Sequence, residues 1–299
     1  MKNIKLNTFF VFILGFFFSS SLFSQQEVNK SFDKKDIRIK LVLGDCSFEK
    51  SDNNKIHVHL KYTYDDEKFE PILREKSRYI ELKEKFHGDN PRGYSKWTIE
   101  VPDEIDIDFE SATSDLVLTK VDIEIDGNTG TGEIEISDAK GFFDLNTGTG
   151  RIEVINSEGE FDLNSGTGRV IVEDSKGNFK LNSGTGKVEA INITIEDEGD
   201  FNCGTGDVEV VAPKGKGFDL TVSSGTNNAI LDMDGNSLEG YFEFSAQKRR
   251  GRIDSPVRFD DEQEYEQGDQ TYLRKSFTKG RDNTRFYIKT GTGKAKLKK

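Results

Sequence analysis

A five-residue motif that recurs at a fixed spacing constrains the fold of this chain more than any other feature. The motif is Asn-Thr-Gly-Thr-Gly or Asn-Ser-Gly-Thr-Gly, and with an 18-residue period it starts at Asn128, Asn146, Asn164 and Asn182. The spacing loosens to 20 residues at 202–206, where Cys203 stands in place of Thr or Ser, and to 21 residues at 224–226. A short, regular period predicts a stacked architecture in which each repeat forms one coil.

Each repeat contains two runs in which apolar and polar residues alternate. In residues 159–174, Phe161 and Leu163 form the first apolar pair, and Val170 and Val172 form the second. This alternation predicts two short strands per repeat, each with one buried face and one face in water. Because equivalent residues recur at the same spacing, we expect successive coils to stack in parallel and in register, about 4.8 Å apart.

The predicted fold is therefore all-β, a single-stranded parallel β-solenoid (β-helix) with about 18 residues per coil and atypical capping ends. The glycines of the motif allow the tight corner between the two strands. We expect one β-solenoid domain over residues 25–299. It comprises N-terminal strands and a cap at 25–101, regular coils at 102–232, and C-terminal coils and a cap at 233–299.

Two segments outside the regular repeat have a charged composition and a different predicted structure. The charged stretch 65–85 predicts a short helix before Pro71 and a strand after it. The acidic stretch 260–266 predicts an exposed loop, and residues 286–294 close the chain as one more coil with the same Gly-Thr-Gly corner.

Composition and charge restrict the class of protein. Hydrophobic residues make up 33% of the chain and charged residues 32%, which is lean for a compact globule but compatible with the thin core of a solenoid. The net charge is −12, which argues against nucleic acid as a partner, because phosphate contacts need a basic footprint.

The first 24 residues are typical of a secretory signal peptide. Lys2 and Lys5 precede the apolar run 9–18, and a serine-rich stretch allows cleavage before Gln25. An uncleaved membrane anchor is the alternative, but the run is shorter than the roughly 20 residues that span a bilayer. We therefore expect an exported, acidic product without a transmembrane segment, in the periplasm or at the cell surface.

Cysteines and histidines indicate no specific chemistry. Export permits a disulfide between Cys46 and Cys203, although Cys203 also fits as a small buried substitute for Ser or Thr. His57 and His59 alternate on a predicted strand and project to one face, but two ligands without a third make a poor metal site.

The sequences Gly-Thr-Gly-Lys at 184–187 and 291–294 superficially resemble a phosphate-binding loop. A P-loop requires Gly-Lys-Ser/Thr at the start of a helix, whereas here Lys187 is followed by Val188 and strands are predicted on both sides. We therefore interpret these segments as structural corners.

Carboxylates recur at outward positions of the repeat. They are Glu133, Glu135, Asp144, Glu153, Asp162, Glu173, Glu189 and Glu209. Stacked carboxylates can bind Ca²⁺, but calcium-binding solenoids carry Gly-Gly-x-Gly-x-Asp turns, and here Gly-Thr-Gly leads into Arg151, Arg169 or Lys187. We therefore expect basic residues to offset neighbouring carboxylates in an ordinary solvated face.

One basic cluster interrupts the acidic chain. Lys248, Arg249, Arg250 and Arg252 form a candidate anion-binding patch for a glycan or a lipid headgroup. The alternative is a charged edge near the C-terminal cap that offsets Asp260, Asp261 and Glu262.

Residues before the regular repeat make the pattern more specific. The strand that contains Trp97 ends in Val101-Pro102, Ile105-Asp106-Ile107-Asp108 follows, and Leu-Asn-Ser-Gly-Thr-Gly-x-Val-x-Val then repeats. This combination resembles the bacterial putative-adhesin family of β-strand-repeat proteins over roughly residues 37–299. The resemblance implies an exported parallel β-solenoid and carries no catalytic residues over to this chain.

The sequence therefore predicts a non-catalytic, exported cell-envelope protein that is adhesin-like, needs no cofactor, and binds an envelope protein or a glycan. The alternatives are a carbohydrate-active β-helix enzyme, which would need converging acids in a groove, and a Ca²⁺- or anion-dependent binding module. A specific site is expected where the period breaks, before residue 128 or after residue 206.

Overall fold

The computed structural model describes residues 25–88 and 91–299. These residues form 27 β-strands and no helix, so none of them forms a helix long and apolar enough to cross a membrane. The predicted signal peptide, residues 1–24, lies outside the described residues.

The strands are β1 (Gln26–Phe32), β2 (Asp36–Leu41), β3 (Asp45–Lys50), β4 (Ile56–Tyr62), β5 (Phe69–Glu75), β6 (Tyr79–Phe86), β7 (Ser95–Val101), β8 (Ile105–Thr113), β9 (Leu116–Thr119), β10 (Asp122–Thr131), β11 (Ile134–Ser137), β12 (Lys140–Thr149), β13 (Ile152–Ile155), β14 (Glu158–Thr167), β15 (Val170–Glu173), β16 (Lys176–Thr185), β17 (Val188–Ile191), β18 (Thr194–Cys203), β19 (Val208–Val211), β20 (Asp219–Ser224), β21 (Ala229–Asp232), β22 (Gly240–Gln247), β23 (Arg252–Asp254), β24 (Asp261–Gln267), β25 (Gln270–Lys279), β26 (Arg285–Thr290) and β27 (Lys294–Lys298).

The strands form two long sheets with the core between them. We call the 14-stranded sheet the long-strand sheet; its order is β24-β25-β22-β26-β20-β18-β16-β14-β12-β10-β8-β2-β6-β5. We call the 13-stranded sheet the short-strand sheet; its order is β1-β4-β7-β3-β9-β11-β13-β15-β17-β19-β21-β27-β23. From β8 to β21 the chain alternates between the two sheets, so one long and one short strand make a coil of a solenoid-like fold.

Neighbouring coils stack in parallel and in register, which confirms the prediction from the repeat. Phe143 lies opposite Phe161, and Phe161 lies opposite Phe179. The three buried rings are stacked, with centroids 5.2 and 5.3 Å apart. An apolar residue that recurs in the sequence therefore packs on its own copy in the next coil, and the core continues from coil to coil.

The structure explains why the repeated motif has its particular residues. The Thr147 hydroxyl donates a hydrogen bond to the Gly132 carbonyl of the preceding coil at 3.1 Å. The Cys203 thiol takes the same place and lies 3.4 Å from the Gly186 carbonyl oxygen. A Cβ on Gly150 would lie 1.9 Å from the Gly132 oxygen, so the corner excludes a side chain there. The motif therefore closes the corner against the coil before it.

At both ends the order of coils in space differs from their order in the chain. The coil of β6 and β7 lies outside that of β2 and β3, which pairs on its other side with β8 and β9. The last coil of the chain, β26 and β27, lies between β20/β21 and β22/β23. The final Gly-Thr-Gly corner is therefore inside the stack and not at its end.

Two local predictions are wrong. No helix precedes Pro71, because residues 66–68 form a turn and the edge strand β5, which pairs antiparallel with β6, begins at Phe69. Proline is tolerated there because an edge strand has unpaired positions that need no N–H donor. The acidic stretch predicted as a loop forms β24, an exposed edge strand that pairs antiparallel with β25. Its carboxylates discourage pairing with another chain.

Both cysteines are free and buried, so the structure contains no disulfide between them. Burial raises the pKa of the Cys46 thiol well above its ordinary value, and the nearby Glu84 and Asp45 charges add to the rise. The Cys46 side chain therefore stays a neutral thiol and packs as a small apolar group.

Candidate functional site

Aspartates stack on one another along the outer face of the long-strand sheet. Alternate side chains of each long strand point outward, and the register aligns equivalent positions of successive strands. One outward column contains, in order, Arg38, Asp108, Asp126, Asp144, Asp162 and Lys180. We call Asp108, Asp126, Asp144 and Asp162 the aspartate ladder. Neighbouring members are about one strand spacing apart, roughly 4.8 Å.

Only one member of the ladder has a cationic partner among the described residues. Lys180 forms an ion pair with Asp162. Neutral amides reach three members instead: Asn128 donates to Asp126 at 3.4 Å, Asn146 to Asp144 at 3.2 Å, and Asn164 to Asp162 at 2.9 Å. Partial burial raises the pKa of Asp126, and the negative charges of Asp144 and Asp108 add to the rise. Asp108, Asp126 and Asp144 therefore form a run of negative charge without an ion pair in the described part of the chain.

An exposed phenylalanine lies in the adjacent outward column. Phe142 is 42% exposed, and its register partners on either side are Glu124 and Glu160. Asp106 precedes Glu124 in this column. A large aromatic side chain between carboxylates in water gains nothing from the core, so it is available for contact with another molecule.

Glycines form the floor of the surface beside Phe142. Gly141 and Gly159 have φ values of 129° and 145°, and a Cβ on either would lie 1.9 Å from a backbone oxygen of the preceding coil. The same column carries the buried side chain of Ile123 one coil earlier. Ile123, Gly141 and Gly159 all line the same open depression.

Two adjoining depressions cover this part of the face. Their volumes are about 710 and 630 Å³, and both are lined by Asp106, Glu124 and Phe142. We call them together the acidic groove. Its outward carboxylates without a Lys, Arg or His nitrogen within 4.0 Å, among residues 25–88 and 91–299, are Asp36, Glu104, Asp106, Asp108, Asp122, Glu124, Asp126 and Glu160.

Cations lie at the margins of the acidic groove. At one margin Lys176 lies 3.0 Å from Glu158 and 2.8 Å from Glu196, and its hydrogen bond is the main reason that the pKa of Glu158 is lowered. At the other margin the Arg38 guanidinium lies 4.3 Å from the centroid of the Tyr79 ring. The centre of the groove has no such compensation.

Basic residues do offset carboxylates on the other sheet, as predicted. The Arg151 guanidinium lies 3.1 to 3.7 Å from Glu133, Glu135 and Glu153 on the outer face of the short-strand sheet. Lys187 pairs in the same way with Glu189 and Glu209. Of the carboxylates for which this was predicted, Glu133, Glu135, Glu153, Asp162, Glu189 and Glu209 have a cationic partner, whereas Asp144 and Glu173 have no ion pair among the described residues.

The predicted basic patch forms a turn between β22 and β23, next to the corner of the last coil. Gln247 N donates to Gly291 O and Arg252 N to Gly293 O, so the turn continues the row of Gly-Thr-Gly corners. Lys248 forms an ion pair with Glu264 at 2.6 Å. Arg249, Arg250 and Arg252 are exposed and have no ion pair within the described part of the chain.

The histidine pair and Lys187 contact other side chains of the protein. His57 contacts Ser31 at 2.8 Å and Asn53 at 3.0 Å, and His59 contacts Asn29. Lys187 is occupied by its two glutamates. In the part of the chain that the structure describes, no three His, Cys, Asp or Glu side chains are placed to hold a metal ion.

A buried glutamate near the N-terminal end was not singled out by the sequence. One oxygen of Glu84 accepts hydrogen bonds from the backbone amides of 42–44 at 2.8 to 3.2 Å. The other accepts from the Ser95 hydroxyl at 2.5 Å and from the Trp97 indole at 3.0 Å. The alternation of β6 places Glu84 on the same inward face as Leu82, and a charged residue at an inward position could have indicated a buried carboxylate. Glu84 ties the corner after β2 to the outer coil.

These features define a class: an all-β protein with long parallel sheets, a solenoid-like fold, and an open acidic groove on one face. The model of the Toastrack family DUF4097, a domain of unknown function, matches residues 33–275. The chain belongs to this family, which confirms the resemblance identified from its sequence. No curated protein matches the chain.

Three solved structures that match the chain are distant from it in sequence. A putative cell adhesion protein from Clostridium sporogenes is 13% identical with a TM-score of 0.23, and the match covers 92% of this chain and 98% of that one. A putative adhesin from Parabacteroides merdae is 11% identical, TM-score 0.26, covering 68% and 89%. A putative lipid binding protein from Parabacteroides distasonis is 12% identical, TM-score 0.28, covering 91% and 96%. At these TM-scores the likeness supports no functional inference.

Proposed function

We propose that this protein is a non-catalytic, adhesin-like interaction protein of the bacterial envelope, exported by the leader at residues 1–24. In this proposal, coils of about 18 residues form a β-solenoid that presents an extended face to an envelope protein or a glycan. The observation that supports it best is the acidic groove. It combines an exposed phenylalanine with carboxylates that have no cationic partner within the described residues.

The test uses the exported protein and a bacterial envelope extract. We expect the protein to be recovered outside the cytoplasm when the leader is present and inside when residues 1–24 are deleted. We also expect the exported protein, immobilised, to retain a defined envelope component without chemical change to that component. Cleavage of a retained glycan would contradict the proposal and favour a carbohydrate-active enzyme.

A second binding function is supported by the basic turn. Arg249, Arg250 and Arg252 are exposed, whereas Lys248 is held by Glu264. Three free guanidinium groups can bind a sulfated or phosphorylated partner. Retention on immobilised polysulfated glycan should fall when the three arginines are changed to glutamate and should not change for Lys248→Glu. Equal loss in both variants would contradict a role for the arginines.

A further inference from the structure

The acidic groove is long enough to hold an extended chain. Eight adjacent strands contribute side chains to its lining: β6, β2, β8, β10, β12, β14, β16 and β18. Seven strand spacings correspond to about 34 Å, which is the length of an extended peptide of about ten residues. The lining residues therefore offer contacts along a line and not around a point.

The charge in the groove restricts what can occupy it. Like charges directly opposite each other on neighbouring strands are destabilising, and the ladder and the Phe142 column both contain such neighbours. A neutral sugar ring would leave this repulsion in place. A single metal ion does not fit either, because no three acidic side chains among the described residues are placed to share one. A row of positive charges would relieve the repulsion along the whole groove.

Phe142 adds a contact that suits the same occupant. Its exposed ring lies between Glu124 and Glu160 in the register of the sheet. A Lys or Arg side chain placed there can contact the aromatic face and the flanking carboxylates together. The basic turn of a second copy of this chain is a poor occupant, because Lys248 is already paired and Arg250 N donates to Gln247 O within a tight turn.

We propose that the acidic groove is a docking surface for an extended, basic segment of a partner polypeptide, with Phe142 in contact with one of its cationic side chains. This inference rests on the proposed function of the protein as a binding protein and names the chemistry of its partner.

The test measures binding of a labelled ten-residue peptide in which Lys and Ser alternate, by fluorescence anisotropy at low salt. The groove variant combines Asp108→Asn, Glu124→Gln and Asp126→Asn. The matched variant combines Asp234→Asn, Glu266→Gln and Asp269→Asn, which are exposed, far from the groove, and without ion pairs in the described residues. Both variants change the net charge equally, so they separate a local surface from the overall charge of the protein.

We expect the groove variant to bind the peptide about tenfold more weakly, because three ion pairs are lost, and the matched variant to change affinity by less than about twofold. Phe142→Ala should weaken binding about threefold, whereas Ile155→Ala, another exposed apolar side chain, should have no effect. Thermal melts should show both triple variants folded, since only exposed carboxylates are changed.

Three results would overturn the inference. They are an equal loss in the groove and matched variants, no binding to the wild-type protein at low salt, and tighter binding of a neutral oligosaccharide than of the Lys-Ser peptide. If the immobilised wild-type protein and the immobilised groove variant retain the same envelope component equally, the inference fails and the proposed function stands. If neither retains any envelope component, the proposed function itself fails.

Discussion

Several carboxylates on the outer face of the short-strand sheet lie beside cations, whereas most of those in the acidic groove of the long-strand sheet have no cation within 4.0 Å among the described residues. On the first face one guanidinium, Arg151, serves three glutamates, and Lys187 and Lys298 both reach Glu209. In the groove the aspartate ladder runs through Asp108 and Asp126 without a cation within 4.0 Å among the described residues. The coils of β10/β11 and β12/β13 contribute to both faces, so the difference there lies in their side chains.

The comparison shows what a stacked repeat does to charge. A residue that recurs in the sequence lies on its own copy, so a repeated aspartate produces a column of like charges. On the short-strand sheet this repulsion is reduced because the residue after each Gly-Thr-Gly corner is often basic, as at Arg151 and Lys187. In the groove the repulsion between carboxylates remains, and a cation from another molecule would reduce it.

The largest effect is expected at a third kind of carboxylate, Glu84, which is buried and held by neutral donors. Glu84→Ala would leave three backbone amides, the Ser95 hydroxyl and the Trp97 indole without their acceptor. We expect the free energy of unfolding to fall by about 3 kcal/mol. Denaturant unfolding would measure it, and Trp97, the single tryptophan, would report the change by its fluorescence.

A matched variant tests whether the acceptors are the cause. Glu84→Gln keeps the size of the side chain and one acceptor oxygen, so we expect a smaller loss than for alanine. Equal losses in the two variants would show that packing, and not hydrogen bonding, makes Glu84 important. Substitution of the groove carboxylates, in contrast, should not lower the free energy of unfolding.

Sequence reasoning predicted the regular coils because each coil copies the one before it. The stacking of Phe143 on Phe161 follows from the period alone. The order of coils at the ends could not be predicted, since β22–β25 must first leave the stack before β26 can return beside β20. The local sequence pattern of the last coil does not indicate that β26 pairs with β20.

The acidic groove was only partly predictable. Asp144 and Asp162 were recognised as outward carboxylates, and the register of the repeat extends the same column back to Asp126 and Asp108. The groove also straddles the expected boundary at residue 128, because Phe142 belongs to a regular coil. Gly141 and Gly159 line the groove and are equivalent positions of the repeat, but the sequence pattern alone does not show that a depression lies beside them.

The second largest effect should break the compensated face. Arg151→Glu removes the cation shared by Glu133, Glu135 and Glu153 and adds a fourth carboxylate beside them. We expect a loss of about 1–2 kcal/mol in the free energy of unfolding at low salt. Arg169→Glu is the control, because Arg169 occupies the equivalent position but forms no ion pair within the described residues. A larger loss for Arg169→Glu would contradict the comparison.

A smaller and opposite effect is expected from a cation placed in the groove. Asp126→Lys puts a positive charge between Asp108 and Asp144 in the same column. We expect stabilisation by about 0.5 kcal/mol, measured by denaturant unfolding and reduced by added salt. Asp162→Lys is the control, since it would break the ion pair with Lys180 and create repulsion instead. Destabilisation by Asp126→Lys would show that the ladder is already compensated.

The smallest effect is a difference in pH dependence between the two faces. Burial opposes ionisation of Glu209, but hydrogen bonds from Lys298 and Lys187 outweigh it and lower its pKa, so its contribution is lost as the pH falls below about 4.5. The pKa of Asp126 is raised, so its favourable contribution exists at acid pH and is lost as the pH rises above about 3.8.

On acidification the wild-type protein should therefore lose stability relative to Glu209→Gln and gain stability relative to Asp126→Asn. Each change should be a few tenths of a kcal/mol, because Asp126 is exposed and the two lysines that hold Glu209 remain partly in contact with water. Unfolding curves between pH 3 and 7 would measure both differences, and shifts of the same sign would mean that the two faces do not differ in electrostatic character.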